Sequence, residues 1–349
     1  MNKMILATIT IVSSVFLMTS CNGLAATGGK STATQQATQQ GDNSKTKTKA
    51  DINLSLKPNE SGKIMVLMYH NIGSVESEFV RTPENFRKDL NTLYEKGYRP
   101  ISLSDYVTGN INIEQGYTPV VITFDDGNKN NFEYLPDGTI NKDSAVAILM
   151  DFHKKHKDFP LEATFFLTGD RPFGQKGMES KKVNFIIDNG MDIGNHTVDH
   201  PIFNSFTGDK IQQEIGAQAQ YLKGLISKNN YKIDTIALPY GSRPKDKTLT
   251  KYLAAGSFNG VTYDNIAILN VGWNPGYSPY DVKFDPLSIP RVRSSEMKVD
   301  NVGLYNYLDY FDKNPQEKFI SDGVAGIVTV PKGKEKLLNT SIKKEIYAY

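Results

Sequence analysis

Val120-Val121-Ile122-Thr123-Phe124-Asp125-Asp126-Gly127 decides how the chain is read. Val120 to Phe124 is a short apolar run of the kind that forms a buried strand. It ends on two adjacent carboxylates and a glycine. Like charges at a strand terminus repel, a bound cation relieves them, and Gly127 permits a sharp turn toward a common site. A solvated Asp-Asp-Gly turn would fit the same residues, so the pair needs a partner elsewhere. His196-Thr197-Val198-Asp199-His200 supplies one. Imidazoles four residues apart on a helix or helical turn share one face, within reach of one metal ion. The chain has only five histidines, so a chance pair at this spacing would be unusual. No Glu follows the first His, which excludes the zinc-protease helix. The third ligand must come from another part of the chain, and a strand-end aspartate is the natural donor. Two His and one carboxylate leave a coordination position open to water, the pattern of a catalytic site.

The surrounding sequence repeats a strand–helix alternation. Ile64 to Tyr69 is an apolar strand ending at His70, and Ala163–Leu167 and Thr235–Leu238 read the same way. Thr82, Pro83 and Glu84 mark a helix start, Phe86, Leu90, Leu93 and Tyr94 its inner face, and Gly97 its stop. A second stripe, Ile211, Ile215, Leu222, Leu225 and Ile226, follows Gly208. Such alternation predicts parallel βαβ units in an α/β sheet or barrel, with functional groups at the C-terminal strand ends. After Gly256 the chain is rich in Gly, Pro, Asn and Tyr, and no secondary structure is predicted there. No internal repeat is present.

Thr123-Phe124-Asp125-Asp126-Gly127 together with His196-Thr197-Val198-Asp199-His200 resembles the first two motifs of the polysaccharide deacetylase family, the NodB-homology carbohydrate esterases. The resemblance covers about residues 61–300. It implies a distorted parallel (β/α) barrel of the NodB-homology type, with Asp126, His196 and His200 as metal ligands and Asp125 as general base. It implies a divalent metal, zinc first, with Co, Ni or Fe as alternatives for two imidazoles and a carboxylate. Pro239-Tyr240-Gly241 is similar to the end of the third motif, whose Tyr backbone N–H holds the oxyanion; a plain turn after a strand reads the same way. Three features depart from the pattern. Ala237 stands where the third motif begins with Arg, no Asp-Trp motif is present, and no histidine follows His200. These departures, with Tyr69-His70, resemble the poly-N-acetylglucosamine deacetylase branch, which implies His70 as general acid. Arg291 or Arg293 is then the candidate to replace the missing Arg beside Asp125.

The resemblance implies an N-acetylated polysaccharide, peptidoglycan or poly-N-acetylglucosamine, as substrate. A glycan-binding protein that has lost activity, and a metal hydrolase of another bond, are the competing expectations. Forty basic against 38 acidic residues leave a net charge of +2, which gives no basic stripe for nucleic acid. The single cysteine, Cys21, excludes an intramolecular disulfide and a cysteine zinc cluster. Met4–Met18 is an apolar run too short to span a bilayer comfortably, and Met18-Thr19-Ser20-Cys21 after it resembles a lipobox. Residues 1–21 are thus expected to be a signal peptide with Cys21 lipidated, giving an extracytoplasmic protein anchored in the membrane or secreted into the wall. Residues 22–62 have no aromatic residue and are rich in Gln, Thr, Ser, Gly and Lys. They are expected to be a disordered linker spanning roughly 35 Å, with the catalytic domain over 63–349.

Overall fold

The computed structural model describes residues 47–349. The expected signal peptide, Cys21 and most of the linker lie outside them. Eight strands form one parallel sheet: β1 Met65–Tyr69, β2 Tyr98–Pro100, β3 Thr118–Phe124, β4 Thr164–Leu167, β5 Asp192–Asn195, β6 Thr235–Ala237, β7 Ala267–Leu269 and β8 Val292–Arg293. Their order is β7-β6-β5-β4-β3-β1-β8, and β2 pairs with the first residues of β3. Leu269 also bridges Ile289, just before β8, in parallel. The sheet thereby curls back on itself as a distorted barrel, as the alternation predicts.

Side-chain alternation explains why the strands read as unbroken apolar runs. Met65, Leu67 and Tyr69 of β1, with Val120, Ile122 and Phe124 of β3, face one core. Ile64, Val66 and Val121 face a second core that includes Phe166, Leu269 and Phe319. Strands buried on both faces need apolar residues at every position.

Helices α1 Pro83–Glu95, α2 Leu103–Thr108, α3 Ala145–Lys155, α4 Glu179–Asp188, α5 Gly208–Leu225 and α6 Leu304–Lys313 accompany the sheet. Thr82 caps α1 by accepting the Asn85 N–H, Pro83 occupies its first turn, and Phe86, Leu90 and Leu93 are buried. In α5, Ile211, Ile215 and Leu222 are buried, while Ile226 lies just past the helix end. None of the helices among the described residues is long and apolar enough to cross a membrane.

The linker boundary at residue 62 is corrected over its described part. Lys49–Asp51 and Leu54–Leu56 form single 3-10 turns, and Asn59, Glu60 and Ser61 are buried. The Asn59 N–H donates to the Ile320 carbonyl, and the Asn59 side chain donates to the carbonyls of Gln316 and Lys318. The Glu60 carboxylate accepts the N–H groups of Asp322 and Thr329. Polar pairing rather than apolar area holds this segment, so a composition reading that weighs apolar area misses it.

Candidate active site

The site is built on the C-terminal ends of β1, β3, β5 and β6, with Arg291 reaching in from just before β8. β3 delivers Asp125 and Asp126. The Asp125 N–H continues the ladder by donating to the Tyr69 carbonyl at 3.0 Å. Asp126 (φ 71°) and Gly127 (φ 67°) then both turn left-handed. A side chain at Gly127 would place Cβ 2.7 Å from a Leu167 methyl, so this turn needs its glycine. A left-handed aspartate is the kind of local strain that clusters at functional sites.

Asp125 is buried and gripped by Arg291, which enters from the residue before β8. Arg291 Nη1 and Nη2 donate to Asp125 Oδ1 and Oδ2, each at 2.7 Å. The same guanidinium donates to Thr123 Oγ1 and, through Nε, to the Asn270 carbonyl. Burial alone would raise the Asp125 pKa, but the Arg291 charge and its hydrogen bonds outweigh it and hold the carboxyl well below the usual range. The guanidinium missing at position 237 is thus supplied by Arg291. Arg293 points elsewhere, its Nη1 donating to Glu78 Oε1 at 2.7 Å.

β5 delivers the histidines, though not on a helix. His196 follows the strand directly, Thr197 (φ 68°) and His200 (φ 51°) are left-handed, and the segment is a loop. Its fold is fixed by Asn195 Oδ1, which accepts the Thr197 N–H, and by Glu214 of α5, which accepts the Asp199 N–H. His196 Nε2 lies 3.5 Å and His200 Nε2 3.6 Å from Asp126 Oδ1. The donor atoms of all three residues lie within 4.8 Å of one another. His196 Nδ1 sits 2.7 Å from the Ala237 carbonyl. That contact requires a proton on Nδ1 and leaves Nε2 free as a metal donor. Asn128 Nδ2 reaches the outer oxygen of Asp126 at 3.4 Å, away from the imidazoles. Tetrahedral zinc with bonds of about 2.0–2.1 Å spaces its ligands about 3.3 Å apart, so these three residues fit one ion. Burial alone would raise Asp126, but the His196 hydrogen bond and charge bring it below its ordinary value. His200 is lowered by burial and by His196.

His70 directly follows β1, with Nε2 3.8 Å from Asp125 Oδ2. Burial lowers its pKa, the two aspartates opposing. The neutral imidazole is therefore favoured at rest, whereas the family resemblance implies an acid. Pro239–Gly241 forms a tight turn after β6 with Tyr240 at φ 56°. The N–H groups of Gly241 and Ser242 are used inside that turn, and the Tyr240 ring meets His200 edge-on at 4.7 Å.

Three contributors were invisible in the sequence: the Ala237 carbonyl, the Asn270 carbonyl and Gly272. Backbone acceptors leave no trace in side-chain identity. Gly272 packs so closely that an added Cβ would sit 1.2 Å from the Arg291 carbonyl oxygen.

A family model described as "Polysaccharide deacetylase" matches residues 113–257, the segment carrying both aspartates, both histidines and Tyr240. Among curated proteins, "Putative polysaccharide deacetylase YxkH" of Bacillus subtilis (strain 168) is 24% identical over 262 residues, covering 71% of this chain and 85% of that protein. A polysaccharide deacetylase from Bacillus cereus superposes with a TM-score of 0.52 at 18% identity, covering 71% of this chain and 68% of the other. The Streptococcus pyogenes deacetylase PplD, solved with acetate, gives 0.51 at 18% identity over 71% and 97% of the two chains. These structural likenesses establish the fold. With the family match over the segment that holds the site, the chain carries a domain of the polysaccharide deacetylase family.

Proposed function

We propose that this protein removes N-acetyl groups from N-acetylglucosamine units of a bacterial cell-wall or surface polysaccharide, by hydrolysis that depends on a divalent metal. The observation that carries the reading is the convergence of Asp126, His196 and His200 donor atoms within 4.8 Å of one another, beside a buried Asp125 that Arg291 grips through both oxygens. Zinc suits this donor set, and Co, Ni or Fe are compatible with it. A divalent ion held there would supply a Lewis acid for the acetamide carbonyl and lower the pKa of water toward 7.

The chain's own residues supply the rest. Asp125, ionised and fixed in orientation, accepts a proton from the attacking water. The Tyr240 N–H donates to the developing oxyanion, as preorganised backbone donors do in acyl transfer. The leaving amine needs a proton, and His70 provides it. Because burial favours neutral His70 at rest, it can take up the proton that Asp125 removed, relayed by one water because their 3.8 Å separation is too long for direct transfer, and pass it to the amine. The products are acetate and a glucosamine unit.

The competing glycan-binding reading rested on the missing third-motif Arg and the missing late histidine; Arg291, just before β8, removes the first of these grounds by supplying a guanidinium to Asp125. A tethered extracytoplasmic location, through lipid on Cys21, rests on the lipobox-like sequence alone. Its test is palmitate incorporation, expected in the native chain and lost in Cys21→Ser. For the chemistry, His196→Ala and His200→Ala should each lose bound metal. Acetate release from N-acetylglucosamine oligomers should fall about 100-fold or more, at least the loss typical of removing a residue that merely supports a ligand. Undiminished acetate release from metal-stripped protein would sink the proposal.

A further inference from the structure

Two large aromatic rings beside the site are exposed, Phe79 by 43% and Trp273 by 48%, and neither has a part in the chemistry above. One guanidinium connects them. Arg293 Cζ lies 5.4 Å from the centre of the Phe79 ring and 5.1 Å from the Trp273 ring. Arg293 is itself held by Glu78 Oε1 at 2.7 Å, while Lys298 Nζ lies 3.7 Å from the other Glu78 oxygen, so the planar group is fixed in place. Tyr307 donates to the Trp273 carbonyl at 2.6 Å and anchors that loop.

The position is continuous with the site. Phe79 packs against His70 with ring centres 4.9 Å apart. Arg293 lies two residues beyond Arg291, on the same face of an extended chain and about 7 Å nearer the mouth. Exposed aromatic rings braced from one side, beside a catalytic centre, are unfavourable in water and suit a ligand with an apolar face and a polar rim. A pyranose ring has that form, with C–H bonds on its faces and hydroxyl or acetamido groups at its edge.

We propose that Phe79, Arg293 and Trp273 form a sugar-binding platform for an N-acetylated pyranose unit neighbouring the one that is deacetylated, so that the site prefers a polymer to a monomer. This rests on the deacetylase reading for the identity of the sugar, but it can be tested separately. Trp273 is the only tryptophan in the chain, and its emission reports on the platform directly. Titrating the full-length protein with N-acetylglucosamine hexamer should give a saturable change in emission, and the monomer at least 10-fold weaker binding. Phe79→Ala should weaken the hexamer by about 10-fold. Trp273→Ala should lower the ratio of kcat/KM for hexamer over dimer by a similar factor.

A saturable hexamer response without acetate release would support the platform and reject the deacetylase. Acetate release that favours longer oligomers, with silent Trp273 emission and unchanged ratios in both variants, would overturn the platform and leave the deacetylase standing. An emission change that follows protein concentration without sugar would assign the face to self-association and also overturn the proposal.

Discussion

Arg291 is fully buried and completes its hydrogen bonding on Asp125, Thr123 and Asn270. Removing one member of a buried ion pair leaves the other charged and unsolvated, at a cost of about 3–5 kcal/mol. Arg291→Met should therefore lower the urea midpoint by that equivalent and abolish acetate release. Adding Asp125→Asn should restore much of the stability and none of the activity, a coupling that a double-mutant cycle measures. Arg291→Lys keeps the charge but cannot reach both carboxylate oxygens, so it should fold better than the Met variant and still turn over slowly. Additive losses in the cycle would contradict the pairing. Gly272→Ala is a separate test of the same pocket. Its Cβ has no space against the Arg291 backbone, and circular dichroism melting should show a large drop in Tm.

Among the elements, what was legible followed from regular patterning. Apolar runs gave the strands, and Thr82 with Pro83 marked the helix start, because burial and capping depend on residue type. The His196–His200 spacing was read as helical, and there the inference failed. Thr197 and His200 take left-handed angles without being glycine, and such turns carry no compositional mark. Arg291 could be named only as one of two candidates, since both arginines lie on one face and their partners are distant in sequence. The brace behind the Asp126–Gly127 turn was likewise unreadable. Lys182 of α4 is buried, and its ammonium donates to the carbonyls of Phe132 at 2.7 Å and Phe173 at 2.9 Å. The Phe173 N–H in turn donates to the Gly127 carbonyl at 2.7 Å. Burial pushes the Lys182 pKa down to about 8, so it remains mostly charged at neutral pH. Lys182→Met strands those carbonyls and should cost about 1–3 kcal/mol. Because the turn carries Asp126, metal affinity should weaken as well, which isothermal titration would detect; unchanged affinity would confine Lys182 to stability.

Across the molecule, the two ends of the sheet are built for different tasks. At the end opposite the site, Asp192 opens β5 and accepts a hydrogen bond from Tyr231, while Glu162 precedes β4. Burial pushes Asp192 up to about 6 and Glu162 up to about 7, with Asp105 and Asp192 adding to the effect on Glu162 and Asp234 to that on Asp192. Both acids bind protons more tightly folded than unfolded. Their contribution to stability is therefore present at low pH and is lost as pH rises through about 4 to 7. Asp192→Asn keeps an acceptor for Tyr231 and removes the titration. Its stability should fall less than that of the native chain between pH 5 and pH 8, by about 1.4 kcal/mol, read as a smaller drop in Tm. Parallel profiles would show that Asp192 does not carry the effect.

The chain also enters the domain at this end. The Pro58 carbonyl accepts a hydrogen bond from the Tyr349 hydroxyl, the Asn53 N–H donates to Gln115 Oε1 just before β3 begins, and the Lys63 N–H donates to the Glu317 carbonyl ahead of β1. Every strand of the sheet then runs away from that floor toward the acidic and imidazole cluster. A force applied at Lys47 itself would accordingly be borne at the back of the barrel, by the segment that Asn59 and Glu60 pin there, and not at the mouth.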